Sequence, residues 1–230
     1  MRRSRSCRKL SSPAAVFWDM DGTLIDTEPL WGQATYELGE LLGRPLTPEV
    51  RERTVGGSFD NTLRIVAAWA GRELSLDDAH LYKTWMFSRM RELFAGGIEL
   101  NPGVEGVLAS LAARGMPMLV TTNTERSLAD PCIDAIGREF FVDTITGNEV
   151  GRPKPAPDMY LEAARRVGAA PGECLVFEDS WSGMSAAAGA GCRVLGLSES
   201  VPEGVSVFDP ARFVGAGAAD VDEWFAELVG

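Results

Sequence analysis

Histidine occurs once in these 230 residues, at His80. That scarcity excludes a Ser-His-Asp triad unless His80 itself lies in a site. Its place beside Asp78 in an amphipathic helical run points to the surface instead. Cysteine is nearly as sparse. Cys7, Cys132, Cys174 and Cys192 form no CxxC pair and no zinc spacing. Cys174 and Cys192 sit in apolar runs, as small core residues do. A reducing, cytoplasmic setting is expected. Basic residues are outnumbered, 22 Lys and Arg against 33 Asp and Glu, for a formal net charge of -11. Such a chain does not displace counterions from a polyanion, so no nucleic-acid partner is expected. An anionic substrate must be drawn in by a local site rather than by the overall field. No run approaches the roughly 18 apolar residues that span a bilayer, so no membrane partner is expected either. Internal repeats and low-complexity segments are also missing.

What is present is ordinary for a globular protein with a sizeable core: 45% hydrophobic and 24% charged residues. Residues 1–13 differ from the rest, with Arg2, Arg3, Arg5, Arg8 and Lys9, serines and no acid. The composition is that of a short transit peptide but lacks the apolar stretch of a secretory signal. A disordered extension outside the fold is expected.

The chain is organised around Asp19-Met20-Asp21-Gly22-Thr23. An apolar run, Ala14 to Trp18, precedes it and reads as a short buried strand. Residues i and i+2 of an extended segment project to one side, so Asp19 and Asp21 are expected to face one pocket past the strand's end. Gly22 supplies a bend that a Cβ resists, and Thr23 is expected to hydrogen-bond back into the turn. Two neighbouring carboxylates call for a cation or a proton. The pattern therefore suggests a divalent metal, with one aspartate as nucleophile and the other as acid/base.

From Asp26-Thr27-Glu28-Pro29 to residue 95 the chain reads as helices without a convincing strand. A helix over Leu30 to Leu42 is followed by a short one opened at Thr47-Pro48-Glu49. After the glycine loop Val55-Gly56-Gly57-Ser58, one is capped by Asp60, and another by Ser75 with Tyr82, Met86, Met90 and Leu93 on one stripe. From residue 102 strands and helices alternate. Strands are expected at Met116–Val120, 141–145, 174–177 and 193–197, and helices at 104–115, 125–136, 157–167, 182–190 and the carboxyl terminus. Alternation of this kind predicts an α/β fold, a doubly wound parallel sheet with right-handed crossovers, which binds ligands at the strands' carboxyl ends.

Those ends carry polar residues. The second strand runs into Thr121-Thr122-Asn123, suited either to phosphoryl oxygens or to a plain helix cap. The strand at 174–177 runs into Glu178-Asp179-Ser180, two acids that want a cation and a serine that can cap the next helix. Between them Lys154 stands among prolines in Arg152-Pro153-Lys154-Pro155-Ala156-Pro157-Asp158, either aimed at the site or solvated on a loop.

In this order the four stretches resemble the four motifs of the haloacid dehalogenase-like phosphohydrolase superfamily, over residues 14 to about 200. The Asp26–Leu30 and Lys154–Asp158 stretches are similar to the branch containing β-phosphoglucomutase and phosphoglycolate phosphatase. The resemblance implies a core domain of residues 14–27 and 96–230 with an inserted helical cap at 28–95. It also implies a Mg²⁺-dependent phosphatase acting on a small phosphorylated metabolite. Asp19 is then the nucleophile, Asp21 the acid/base, and Thr121, Thr122, Asn123 and Lys154 hold the phosphoryl group. Asp19, the Asp21 carbonyl and Asp179 hold the metal, with Glu178 a direct or water-mediated ligand. Gly56 and Ser58 are expected on the cap's face toward the site, and Trp31 and Phe59 either there or in the cap core. β-Phosphoglucomutases carry a histidine where Trp31 aligns and an arginine where Phe59 aligns, and Pro153 replaces the usual glycine. A hydrolase is therefore expected over a mutase or a non-catalytic binding protein, as a monomer or homodimer.

Overall fold

Residues 11–229 are described in a computed structural model. Cys7 and most of the basic amino-terminal stretch lie outside them. Pro13 is already buried.

Six strands form one parallel sheet: β1 (Ala15–Trp18), β2 (Met118–Thr122), β3 (Asp143–Thr146), β4 (Cys174–Glu178), β5 (Arg193–Gly196) and β6 (Ser206–Val207). Their order is β3-β2-β1-β4-β5-β6. β1 therefore lies at the point where the order reverses, pairing with β2 on one side and β4 on the other. Strand ends diverge at such a point and leave a crevice. Both faces of the sheet are covered, which is why its strands read as continuous apolar runs. Val16, Trp18, Val120 and Phe177 point into one layer, with α5 (Val104–Ala113), α6 (Arg126–Ile136) and α9 (Ala218–Val229). Ala15, Phe17, Leu119 and Val176 point into the other, with α7 (Asp158–Val167) and α8 (Trp181–Gly189). Trp18 and Phe177, direct partners in the β1–β4 register, stack at 4.4 Å between ring centroids, and Phe213 and Trp224 pack edge-on or tilted against them. Aromatic pairs in these geometries add about 0.5–1.5 kcal/mol beyond area burial.

Between β1 and α5 the chain forms four helices, α1 (Glu28–Leu41), α2 (Pro48–Glu52), α3 (Phe59–Ala70) and α4 (Leu76–Phe94). Ser75 caps α4 with a reciprocal bond to Asp78, as expected. The cap of α3 differs from expectation: Ser58 accepts from the Asn61 N–H, and Asp60 sits in the first turn. His80 is exposed on α4, as expected, with its ring nitrogen at the Leu76 carbonyl.

Strand bounds differ from the expected ones by one or two residues, most at β2 and β3, and β6 is an additional strand. β2 begins at Met118 and continues through Thr121 and Thr122, because these two pair with Ile145 and Thr146 of β3. Apolar character marks burial, whereas the strand runs as far as backbone pairing does. β6 is a two-residue exposed edge with no alternation to announce it.

Candidate active site

The crevice beside β1 is lined by core residues and by the inserted helices together. Strand parity builds its floor. Asp19 continues the face of Phe17, and Glu178 continues that of Val176, its neighbour in register. Both carboxylates therefore fall on the α7 side, where Lys154 arrives. Lys154 is 4% exposed, and its ammonium donates to Asp19 Oδ1 (2.6 Å), Glu178 Oε1 (2.5 Å) and the Thr121 carbonyl (2.9 Å). All three donors of the ammonium are used. Burial alone would push the Lys154 pKa down, but the Asp19 and Glu178 carboxylates outweigh it and hold it well above the ordinary value. Glu178 is fully buried and satisfied: Oε1 also accepts from Tyr160, and Oε2 accepts from the Ser180 N–H and hydroxyl.

Asp19, Glu178 and Asp179 each place a carboxylate oxygen within 4.8 Å of the others. One lysine against three such acids leaves two negative charges uncompensated. Burial first, and then the Glu178 charge, push both Asp19 and Asp179 well above the usual carboxylate range. The all-oxygen donor set fits a hard divalent cation. With both Glu178 oxygens already engaged, Asp19 and Asp179 are the carboxylates free to ligate one. Gly22 makes this possible twice over. Its φ of +84° suits glycine, and a Cβ there would overlap the Asp179 carboxylate.

Asp21 lines the same crevice but has its own partners. Oδ1 accepts from the Thr27 hydroxyl (2.6 Å) and the Trp31 indole N–H (2.9 Å), and Oδ2 from the hydroxyls of Thr124 (2.8 Å) and Thr122 (3.3 Å). Thr23, expected to close the turn, is instead buried with its hydroxyl unpaired. Backbone bonds close the turn, from Gly22 N–H to the Ile25 carbonyl and from Ile25 N–H to the Met20 carbonyl. The Asn101 amide adds bonds to the Gly22 and Thr23 carbonyls.

Two other expectations, for Thr121 and Ser58, are corrected, while Thr122 and Asn123 line the crevice. The Thr121 hydroxyl donates to the Trp18 carbonyl inside the sheet, so Thr122 and Thr124 present the hydroxyls here. Side chains alternate along β2, so the adjacent Thr121 and Thr122 face opposite sides. The Asn123 amide braces the loops, accepting from the Lys154 N–H and donating to the carbonyls of Lys154 and Gly56. Ser58 caps α3 and does not line the crevice, whereas Gly56 does. Gly56 has φ +65° and lies against Ser180, and its carbonyl accepts from the Ser182 hydroxyl at 2.7 Å. Trp31 and Phe59 line the crevice and also pack within the inserted helices, edge-on to Phe94 and Phe87.

Sequence reasoning missed Thr27, Thr124, Tyr160, Glu28 and Arg51. Thr124 was within reach as one more hydroxyl after the strand. Arg51 carried no signal, being one of three charged residues on a five-residue helix.

Residues 13–191 match the model of the haloacid dehalogenase-like hydrolase family. The chain belongs to that family. It is 30% identical over 197 residues to a phosphorylated carbohydrates phosphatase of Thermotoga maritima, covering 85% of this chain and 90% of the relative. It is 31% identical over 179 residues to the fructose-1-phosphate phosphatase YqaB of Escherichia coli, covering 77% and 93%. The structure of CbbY from Rhodobacter sphaeroides in complex with phosphate superposes with a TM-score of 0.68 at 28% identity, covering 91% of this chain and 99% of that one. The chain is accordingly a hydrolase of the family's phosphatase branch, acting on small phosphate monoesters. Among the described residues no helix is long and apolar enough to cross a membrane.

Proposed function

We propose that the chain hydrolyses phosphorylated sugars or similar metabolites with Mg²⁺, through an aspartyl phosphate on Asp19. The observation that carries this reading is the Lys154 ammonium bridging Asp19 and Glu178 at the carboxyl end of the central strand. Asp19 attacks phosphorus, the bond from phosphorus to the ester oxygen breaks, and Asp21 supplies the proton to the departing alcohol. Asp21, now a carboxylate, takes a proton from water as that water attacks the same phosphorus and releases Asp19. The sum is ester plus water to alcohol plus inorganic phosphate. Thr27, Trp31, Thr122 and Thr124 hold the Asp21 carboxylate between the two steps. Lys154 fixes Asp19 and offsets charge on the phosphoryl oxygens.

Asp19 and Asp179, with the Asp21 carbonyl, are the residues that would hold Mg²⁺. When bound, the ion neutralises phosphoryl charge as bonds change. Residues 28–95 act as the cap, whose Gly56 loop rests on the core and keeps bulk water from the phosphoenzyme.

Chelation with EDTA is expected to stop turnover of p-nitrophenyl phosphate, and Mg²⁺ to restore it. Ca²⁺, larger and less demanding in geometry, should bind while supporting little activity. Full activity after exhaustive chelation would refute the metal assignment. Given glucose 6-phosphate, the enzyme should release inorganic phosphate without accumulating the 1-phosphate. Faster isomerisation than release would make it a mutase.

A further inference from the structure

Among the described residues, one cation besides Lys154 lines the crevice: Arg51, on α2. It is not a free charge. Its Nη2 donates to Glu28 Oε2 at 2.8 Å, and Nη1 donates to the Thr54 hydroxyl at 3.0 Å. The two side chains retain 12% and 30% of their exposure, so both are largely withdrawn from water yet open to the crevice. Glu28, Arg51 and Thr54 share this wall with the apolar surfaces of Phe59, Met86 and Phe87.

A group reaching this wall meets both halves of an ion pair. A hydroxyl suits that, because it accepts from a guanidinium N–H while donating to a carboxylate oxygen. Arg51 has five N–H donors and spends two in the bonds just named, which leaves three. The C–H faces of a carbon chain or sugar ring suit the neighbouring apolar side chains. A second anionic group fits badly. Glu28 already neutralises Arg51, and Asp19, Asp21 and Asp179 line the same crevice. Burying another carboxylate or phosphate here would set it against Glu28 without a free counter-charge.

We propose that the Glu28–Arg51 pair reads the hydroxyl groups of the leaving alcohol. It thereby selects uncharged polyhydroxy monophosphates over monoesters that carry a second anionic group. The inference rests on the phosphatase reading above, and specificity resides in the pair rather than in either residue. Glu28 matters as much as Arg51, since it makes the wall neutral.

The test compares kcat/KM for sorbitol 6-phosphate, 2-phosphoglycolate and p-nitrophenyl phosphate in wild type, Arg51→Met and Glu28→Gln, each loaded with Mg²⁺. Wild type should prefer sorbitol 6-phosphate to 2-phosphoglycolate by about tenfold or more, the scale of one or two buried polar contacts. Arg51→Met should lower the ratio of sorbitol 6-phosphate to p-nitrophenyl phosphate by about tenfold, chiefly through KM. Glu28→Gln leaves Arg51 without its counter-charge, so turnover of 2-phosphoglycolate should rise relative to sorbitol 6-phosphate by about tenfold. If Glu28→Gln does not fold, Glu28→Asp withdraws the carboxylate by one methylene and should shift the ratio in the same direction. Wild type that prefers 2-phosphoglycolate overturns the proposal without any variant. So do substrate ratios that neither variant moves. Failure to hydrolyse all three esters would instead refute the phosphatase reading.

Discussion

Asp19→Asn is expected to lower p-nitrophenyl phosphate turnover by about a thousandfold or more, the scale of losing a nucleophile that no other group replaces. The amide nearly matches the carboxylate in shape, but its oxygen is a poor nucleophile. Stability should move the other way. Asp19 is 7% exposed, and burial and the nearby Glu178 charge make its ionised form costly. Removing one of the crowded acids relieves that repulsion, while Lys154 keeps Glu178 and the Thr121 carbonyl as acceptors. The thermal midpoint in metal-free buffer should therefore equal or exceed that of wild type. Turnover within tenfold of wild type would rule out the covalent role. A large drop in midpoint would show that Asp19 supports the fold as much as the chemistry.

Lys154→Met is expected to damage both activity and stability. Among the described residues the ammonium is the one cation bonded to Asp19 and Glu178, and those carboxylates have almost no access to water. Removing one partner of a buried pair typically costs about 3–5 kcal/mol, because the charge left behind has lost its hydration without compensation. Chemical denaturation of the metal-free protein should show a loss of that order, and turnover should fall by about a hundredfold or more. The double variant Lys154→Met, Glu178→Gln separates the two effects. Taking away the stranded acid should recover about half of the lost stability, since contacting residues are strongly non-additive. It should recover no activity. A single variant as stable as wild type would mean that Lys154 does not compensate the acids.

The outline of the fold was legible because its signals are local. Apolar runs four or five residues long followed by helical periodicity can be satisfied by a sheet buried on both faces. The order of acids, threonines and lysine at the strand ends fixed which chain segments meet. Boundaries were less legible, as at β2, whose pairing with β3 continues past the apolar stretch and replaces Thr121 by Thr122 at the crevice. Neighbouring side chains of a strand face opposite sides, so the one-residue step from Thr121 to Thr122 is the difference between the sheet interior and the crevice.

Asp19, Asp21, Lys154 and Asp179 could be placed in one crevice from sequence, the aspartates by their positions at strand ends and Lys154 by the order of motifs. Tertiary packing alone decided their partners. Glu178 is spent on Lys154, Tyr160 and Ser180, and Gly22 is required as much by Asp179 as by its own turn. Trp31, ten residues beyond Asp21, reaches back to hold it. Arg51 meets Glu28 across 23 residues because α1 and α2 pack together. Periodicity reports which face of an element is buried, but not which polar group waits on the other side. A charge on a short helix becomes a specificity element only when folding brings its counter-charge to the same wall of the crevice.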